Sequence, residues 1–328
     1  MLRRLPFERS TSAALVLCCA FFSGACSDGD TSDSNTGGPD GGGSAATGGS
    51  TSTGGTNDPG TGGGGDTDPG PGTGGGPVVM PPLPPNDTPE TPDRENFTLL
   101  FEDHFDTLDL TRWQTASHTF DENAAQFDAS MVTIEDGYLR LGLQAADSPT
   151  SDGRDYVGGE LRTLDFFGYG RFEARIRFAP GSGVVSSLFT FYDHYADPDK
   201  PENWNEIDIE FLGKDNTQIQ YNVIHWNAAN QRTTHEKHVT TGFDPSAEFH
   251  DYAIEWLPTE VRFYIDDELV HTQTDQIEEF LTLDSRLMMN VWPVQNTPDL
   301  TAWAGTLDPA SLPTAAYYDW VRVYAYTP

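Results

Sequence analysis

Gly170–Gly181, GRFEARIRFAPG, alternates without a break. Phe172, Ala174, Ile176 and Phe178 share one parity, and Arg171, Glu173, Arg175 and Arg177 share the other. In a strand, residues two apart line one face, whereas a helix would scatter these apolar positions around its surface. The same period recurs in GYLRLGL with Leu139, Leu141 and Leu143, and in EVRFYIDDELVHT with Val261, Phe263 and Ile265. It recurs again in the closing YYDWVRVYAY. Gly, Pro and Asp punctuate these runs, and Asp266-Asp267 reads as the turn of a hairpin. No long stretch has helical periodicity, and there is no internal repeat. Such a chain folds as many antiparallel strands in two packed sheets, an all-β sandwich of jelly-roll type, with its arginine-rich parity facing outward.

The pattern occupies residues 96–328, a length normal for one all-β domain. What precedes it differs in kind. Arg3, Arg4 and Arg9 precede the apolar run SAALVLCCAFF, which at about ten residues is half the roughly twenty a membrane span needs. Residues 1–26 therefore read as an export signal. SGAC, ending at Cys26, resembles a bacterial lipoprotein box, with Ser23 where a branched apolar residue is usual. Lipidation of Cys26 suits the long tether that follows, and cleavage after Ala25 is the alternative. Either predicts an exported protein, anchored at the outer membrane or secreted. Residues 27–95 are Gly-, Thr-, Pro- and Asp-rich and lack the apolar content to offset the entropy of folding. As a flexible coil such a linker reaches roughly 45 Å.

Cys18, Cys19 and Cys26 are the only cysteines, so residues 96–328 hold no disulfide and no thiolate metal site. A formal net charge of −33 argues against binding phosphate backbones. It is compatible with a neutral polysaccharide. Membrane contact is expected only through a lipid on Cys26.

NWNEIDIEFLG, Asn203–Gly213, sets Glu206, Asp208 and Glu210 on one face of a strand and Ile207, Ile209 and Phe211 on the other. Like charges on one strand face repel, and Asp is a poor strand former. A solvated acidic surface is therefore a weak reading. A calcium site would more naturally use a turn with Gly and Asn. Close carboxylates split their protonation equilibria and so supply an acid and a base. Glycoside hydrolysis needs such a pair, about 5–5.5 Å apart in retaining enzymes. On a flat strand, Cα atoms four residues apart are separated by about 13 Å. The chemistry thus requires a curved sheet whose concave face is the cleft. Asp208, between the two glutamates, can share a proton with one of them.

WNEIDIEFLGKD resembles the core motif of family 16 glycoside hydrolases, in the branch of bacterial lichenases and plant xyloglucan transglycosylases. Laminarinases and agarases of that family typically carry one more residue within the motif. The resemblance extends to LFEDHFDTLDLTRW, GGELRTLDFFGYGRFEARIRFAPGSGVVSSLFTF, HEKHVTTGFDPSAEFHDYAIEW, RLMMNVW and YYDWVRVY. It implies a concanavalin A-like jelly roll, with Glu206 as nucleophile, Asp208 as assisting acid and Glu210 as general acid/base. It also implies that Trp204 stacks on a sugar, that Glu160 and Arg162 bond sugar hydroxyls, and that Asn222, Trp292 and Asn123 line the cleft. Core packing is the competing reading for Trp204 and Trp292, and an ion pair with Glu160 for Arg162. Asp319 matches a position whose carboxylate holds a structural calcium ion in the family. HEKH, residues 235–238, reads as strand and is structural.

The departures concern Ile224, where lichenases carry an aromatic residue, and Gly158, at one position of their disulfide. The segments FYDHYADPDKPEN and HWNAANQRTTHEK are longer than usual. The expectation is an exported, monomeric, retaining endo-β-1,3-1,4-glucanase that needs no cofactor for catalysis. The rivals are a transglycosylase or a xyloglucan- or β-1,3-glucan-active enzyme of the same family, and a non-catalytic glucan-binding module, for which three carboxylates would be superfluous.

Overall fold

The computed structural model describes residues 82–84, 90–196, 199 and 201–328. The export signal, Cys26 and most of the linker lie outside the described residues. The concave layer runs, in pairing order, through Trp113–Thr115, Tyr156–Thr163, Arg286–Pro293, Val184–Phe191, Asn205–Leu212 and Gln218–Trp226. Two short edge segments, Arg232–Thr234 and Lys237–Thr240, complete it. The convex layer runs through Val132–Glu135, Tyr138–Ala145, Thr314–Tyr326, Gly170–Arg177, His250–Trp256, Val261–Ile265 and Glu268–Gln273. Phe97–Asp103 pairs with the far half of Thr314–Tyr326. These pairings are all antiparallel. Tyr156–Thr163 joins the layers, because its first residues pair with Tyr138–Ala145 and its last with Arg286–Pro293. The jelly-roll sandwich expected from the alternation is the fold observed, as one curled ladder.

The core lies between the layers. Ile207, Ile209 and Phe211 meet Leu188, Tyr221, Val223, Met289 and Val291 there, and the convex strands contribute Phe172, Ala174 and Ile176. Burying each of the three acidic-strand side chains contributes roughly 2 kcal/mol, which fixes the strand's facing against the repulsion of its acidic side. The expected hairpin is present, with Asp266 and Asp267 at φ of 49° and 64°, the conformation a tight two-residue turn requires.

One expectation needs correction. Arg171, Glu173 and Arg177 do face away from the core, but they are only 2–3 % exposed. Arg171 bonds Glu173 at 2.7 Å and Glu255 at 2.9 Å. Residues assigned to the linker cover part of this surface. Arg94 reaches Glu173 at 3.0 Å and Asp267 at 2.7 Å, and Thr91 bonds Glu102. Pro84 accepts a 2.9 Å hydrogen bond from the Tyr138 hydroxyl, and Leu83 packs on Tyr138, Phe249, Ala315 and Tyr317. Alternation assigns a face, but it cannot show what later covers that face.

Candidate active site

Strand register carries the acidic row into a grid on the concave face. Glu206 stands between Phe191 and Ile224, Asp208 between Phe189 and Asn222, and Glu210 between Ser187 and Gln220. Further across, Ser187 aligns with Asn290 and Asn290 with Glu160, while Phe189 aligns with Met288 and Met288 with Arg162. Eight of the ten predicted site residues in the described region lie on these concave-layer strands or, as Trp204 does, directly before one, and Asn123 sits on a loop bridged to Val294. Asp319, on the convex layer, stands apart.

The acidic row is not a solvated face. Glu206, Asp208 and Glu210 are 2 %, 4 % and 5 % exposed. A wall over the concave face comes from the helix Pro298–Ala304, capped by the Thr297 hydroxyl at Leu300 N. It ends at Gly305, whose φ of 89° favours glycine and whose added Cβ would stand 2.3 Å from Ser182 Oγ. That helix packs Trp303 near Trp292, with ring centroids 6.0 Å apart, and Phe120 meets Trp292 edge-on at 4.9 Å. At 1 % exposed, Trp292 is part of the cleft's apolar support.

Each carboxylate has its own environment. Glu206 Oε2 accepts a 2.7 Å hydrogen bond from Trp204 Nε1. Trp204 is 5 % exposed, packs edge-on to Phe191 at 5.2 Å, and carries the Arg232 guanidinium 5.3 Å from its ring centre. It thus positions Glu206, a contact that strand parity did not reveal. Glu210 Oε2 accepts from Gln220 Nε2 at 2.8 Å, and Gln220 Oε1 accepts from Trp303 Nε1 at 2.8 Å. Burial, then the charges of Glu206 and Glu210, push the Asp208 carboxyl well above the usual carboxylate range; Arg232 opposes this only in part. Burial and its neighbours thus favour the protonated form of Asp208, as does its hydrogen bond with Glu206. Three carboxyls thus share one row without three charges.

The polar flank of the grid is organised differently from the sequence expectation. Glu160 Oε2 accepts from Asn290 Nδ2 at 3.3 Å, and Asn290 Oδ1 accepts from Ser187 Oγ at 2.5 Å. Arg162 pairs with Asp193 at 3.5 Å rather than with Glu160, and Arg286 holds the same carboxylate at 3.4 Å. Asn222 Oδ1 accepts from His235 N at 3.1 Å. His235, the first residue of HEKH, faces His225 with Nε2 atoms 3.0 Å apart. No cluster of three His, Cys, Asp or Glu side chains suited to a metal occurs among the described residues.

Several enclosed polar atoms have no hydrogen-bond partner among the described residues: Glu122 Oε2, Asn123 Nδ2, Glu160 Oε1, Asp208 Oδ2, and Nε and Nη2 of Arg232. Buried polar atoms are normally satisfied, so these atoms are free to bond a polar ligand. Glu122 and Arg232 were missed from sequence, because Glu122 lies on a turn and Arg232 opens a three-residue edge strand, both outside the alternating segments.

Asp319 occupies the bulge between Tyr318 and Trp320. Its Oδ2 lies 3.4 Å from Arg175 Nε, its Oδ1 is enclosed without a hydrogen-bond partner, and burial pushes its pKa up to about 6. The free oxygen fits one donor to a hard cation, whose other ligands would have to be backbone carbonyls.

Residues 114–322 match the model of Glycosyl hydrolases family 16. The chain is 38% identical over 234 residues to the beta-glucanase of Brevibacillus brevis, spanning 70% of this chain and 82% of that protein. A prokaryotic beta-1,3-1,4-glucanase (lichenase) from a mouse hindgut metagenome superposes with a TM-score of 0.60 at 32% identity, covering 69% of this chain and 98% of that one. An endo-1,3-beta-glucanase (laminarinase) from Thermotoga petrophila shares the fold at 22% identity, with a TM-score of 0.61 over 72% of this chain and all of that one. On its family match and on relatives that align along the whole sandwich, the chain belongs to family 16 of the glycosyl hydrolases and is a glycoside hydrolase.

Proposed function

We propose that this protein is a retaining endo-β-glucanase acting on β-1,3-1,4-glucan. The observation that carries the reading is the buried row in which protonated Asp208 stands between Glu206 and Glu210. Glu206 accepts from Trp204 and from Asp208, which suits a carboxylate that attacks an anomeric carbon. Glu210, bonded to the neutral amide of Gln220, donates its proton to the leaving oxygen. Glu210 then acts as base for the incoming water, and two inversions give net retention. The linkage reading draws on the unbulged motif and on the similarity to a lichenase. The export signal and Cys26 support a cell-surface enzyme on a tether.

The test is product analysis on barley β-glucan, laminarin, xyloglucan and carboxymethylcellulose, with the anomer followed by NMR. The expected result is fastest release of reducing ends from barley β-glucan, with the β-anomer appearing first. Faster release from laminarin would refute the linkage, net transfer to sugar acceptors would favour the transglycosylase, and an α-anomer appearing first would refute retention.

A further inference from the structure

Arg232 opens the short edge strand Arg232–Thr234, between Trp226 and the HEKH run. It pairs with Trp226, two residues from Ile224, and Ile224 stands opposite Glu206. That parity sends Arg232 over the concave face. Its guanidinium lies over Trp204, and its Nε and Nη2 are enclosed without hydrogen-bond partners. Its charge is felt both at Asp208 and at Glu122. Glu122 is 7 % exposed, and its Oε2 has no hydrogen-bond partner. The loop carrying it is tied to the far side of the sheet. Asn123 bridges to Val294, Ala124 N bonds Pro293 O at 2.8 Å, and Gln295 N bonds Glu122 O at 2.8 Å. Glu122 and Arg232 form no ion pair within 4.0 Å among the described residues; Glu122 is buried, Arg232 is half-buried, and the charge of Arg232 reaches Glu122.

We propose that Arg232 and Glu122 are specificity-determining residues that together grip the hydroxyls of one neutral sugar unit held over the acidic row. A guanidinium offers donors only and a carboxylate offers acceptors only. A hydroxyl is both, so a sugar presenting neighbouring hydroxyls satisfies the two residues at once. The enclosed Nε and Nη2 of Arg232 and Oε2 of Glu122 are costly to leave without partners, and a ligand that pairs them relieves that cost. An anionic substituent would suit Arg232 but would meet Glu122 and Glu206. The grip therefore selects uncharged glucan. It also fits the placing of the Arg232 guanidinium over the Trp204 ring, which is 5 % exposed. This inference rests on the glucanase reading for its substrate, but not for its binding chemistry.

The experiment pairs hydrolysis kinetics with retardation in native gels containing barley β-glucan, for full-length wild type, Arg232→Met, Glu122→Gln and the double variant. Arg232→Met keeps an apolar stem over Trp204 and removes the donors. The expected result for each single variant is a KM raised about tenfold or more, with kcat within about threefold, matching loss of gel retardation and an unchanged melting temperature. Removing donors to a polar partner has effects of this order. The double variant should lose less than the product of the single losses, since both residues hold one sugar. Methylguanidinium should restore affinity to Arg232→Ala. Unchanged KM and retardation in Arg232→Met would overturn the proposal. So would a fall in kcat and melting temperature without a change in KM, or tighter binding of carboxymethylated than of neutral glucan. If the wild type binds β-glucan but does not cleave it, the glucanase reading fails, and the retardation series still decides the grip.

Discussion

Replacing Asp208 by Asn should stabilise the fold while it slows catalysis. In the folded protein Asp208 keeps a proton, because burial and two neighbouring glutamates disfavour its charge. The unfolded chain releases that proton near the ordinary Asp value of about 3.9. The folded state thus binds one more proton, and stability falls as pH rises by about 1.4 kcal/mol per pH unit while the folded state retains it. The Asp208→Asn protein has no proton to lose and no such slope. Its stability relative to wild type should therefore grow as pH rises above the ordinary Asp value, for as long as the folded wild type holds the proton. The difference in melting temperature between the two proteins should widen in the same direction. The amide still offers Glu206 a donor, so kcat/KM should fall only about tenfold, the scale of one altered hydrogen bond. Scanning calorimetry across pH 5–7, with initial rates on the same samples, measures both. Melting curves that run parallel over that range would show Asp208 already ionised in the folded protein and would refute the argument.

Glu206→Ala should abolish polymer hydrolysis, and azide with an activated aryl glucoside should restore turnover to an α-glycosyl azide. Glu210→Ala should give the β-azide, and swapped stereochemistry would reverse the roles. Asp319, with its pKa pushed up to about 6, should cost stability as pH rises from about 4 through 6, by roughly 3 kcal/mol when fully ionised. Melting in EDTA should therefore fall over that range, calcium should reverse the fall, and Asp319→Asn should flatten it; equal curves with and without calcium would remove the cation. Leu83→Asp, which puts a charge against Tyr138, Phe249 and Tyr317, should lower the melting temperature by several degrees and leave kcat unchanged. Cys26→Ala should release the protein from membranes in a fractionation without changing its activity.

Period-2 alternation is local. It follows from the pleat of a single strand, so the side of the sheet faced by Glu206, Asp208 and Glu210 was legible in eight residues, as were the core-facing Ile207, Ile209 and Phe211. The same parity placed Trp204 on the cleft face and Phe172, Ala174 and Ile176 in the core. Contacts between segments far apart in the chain were not legible. Arg162 met Asp193 and left Glu160 to Asn290, because strand pairing decides which side chains become neighbours. Trp204 found Glu206 through its indole nitrogen, and the helix Pro298–Ala304 covered Trp292. The arginine-rich parity of Gly170–Arg177 faced outward as read, and was then buried by Arg94 and by its own ion pairs. Above all, burial of the acidic row, which keeps a proton on Asp208, comes from neighbouring strands and covering segments outside the motif. Strand parity depends on one residue and the next, whereas protonation depends on how much water and charge the whole fold leaves around a group, and that is known only once the walls are in place.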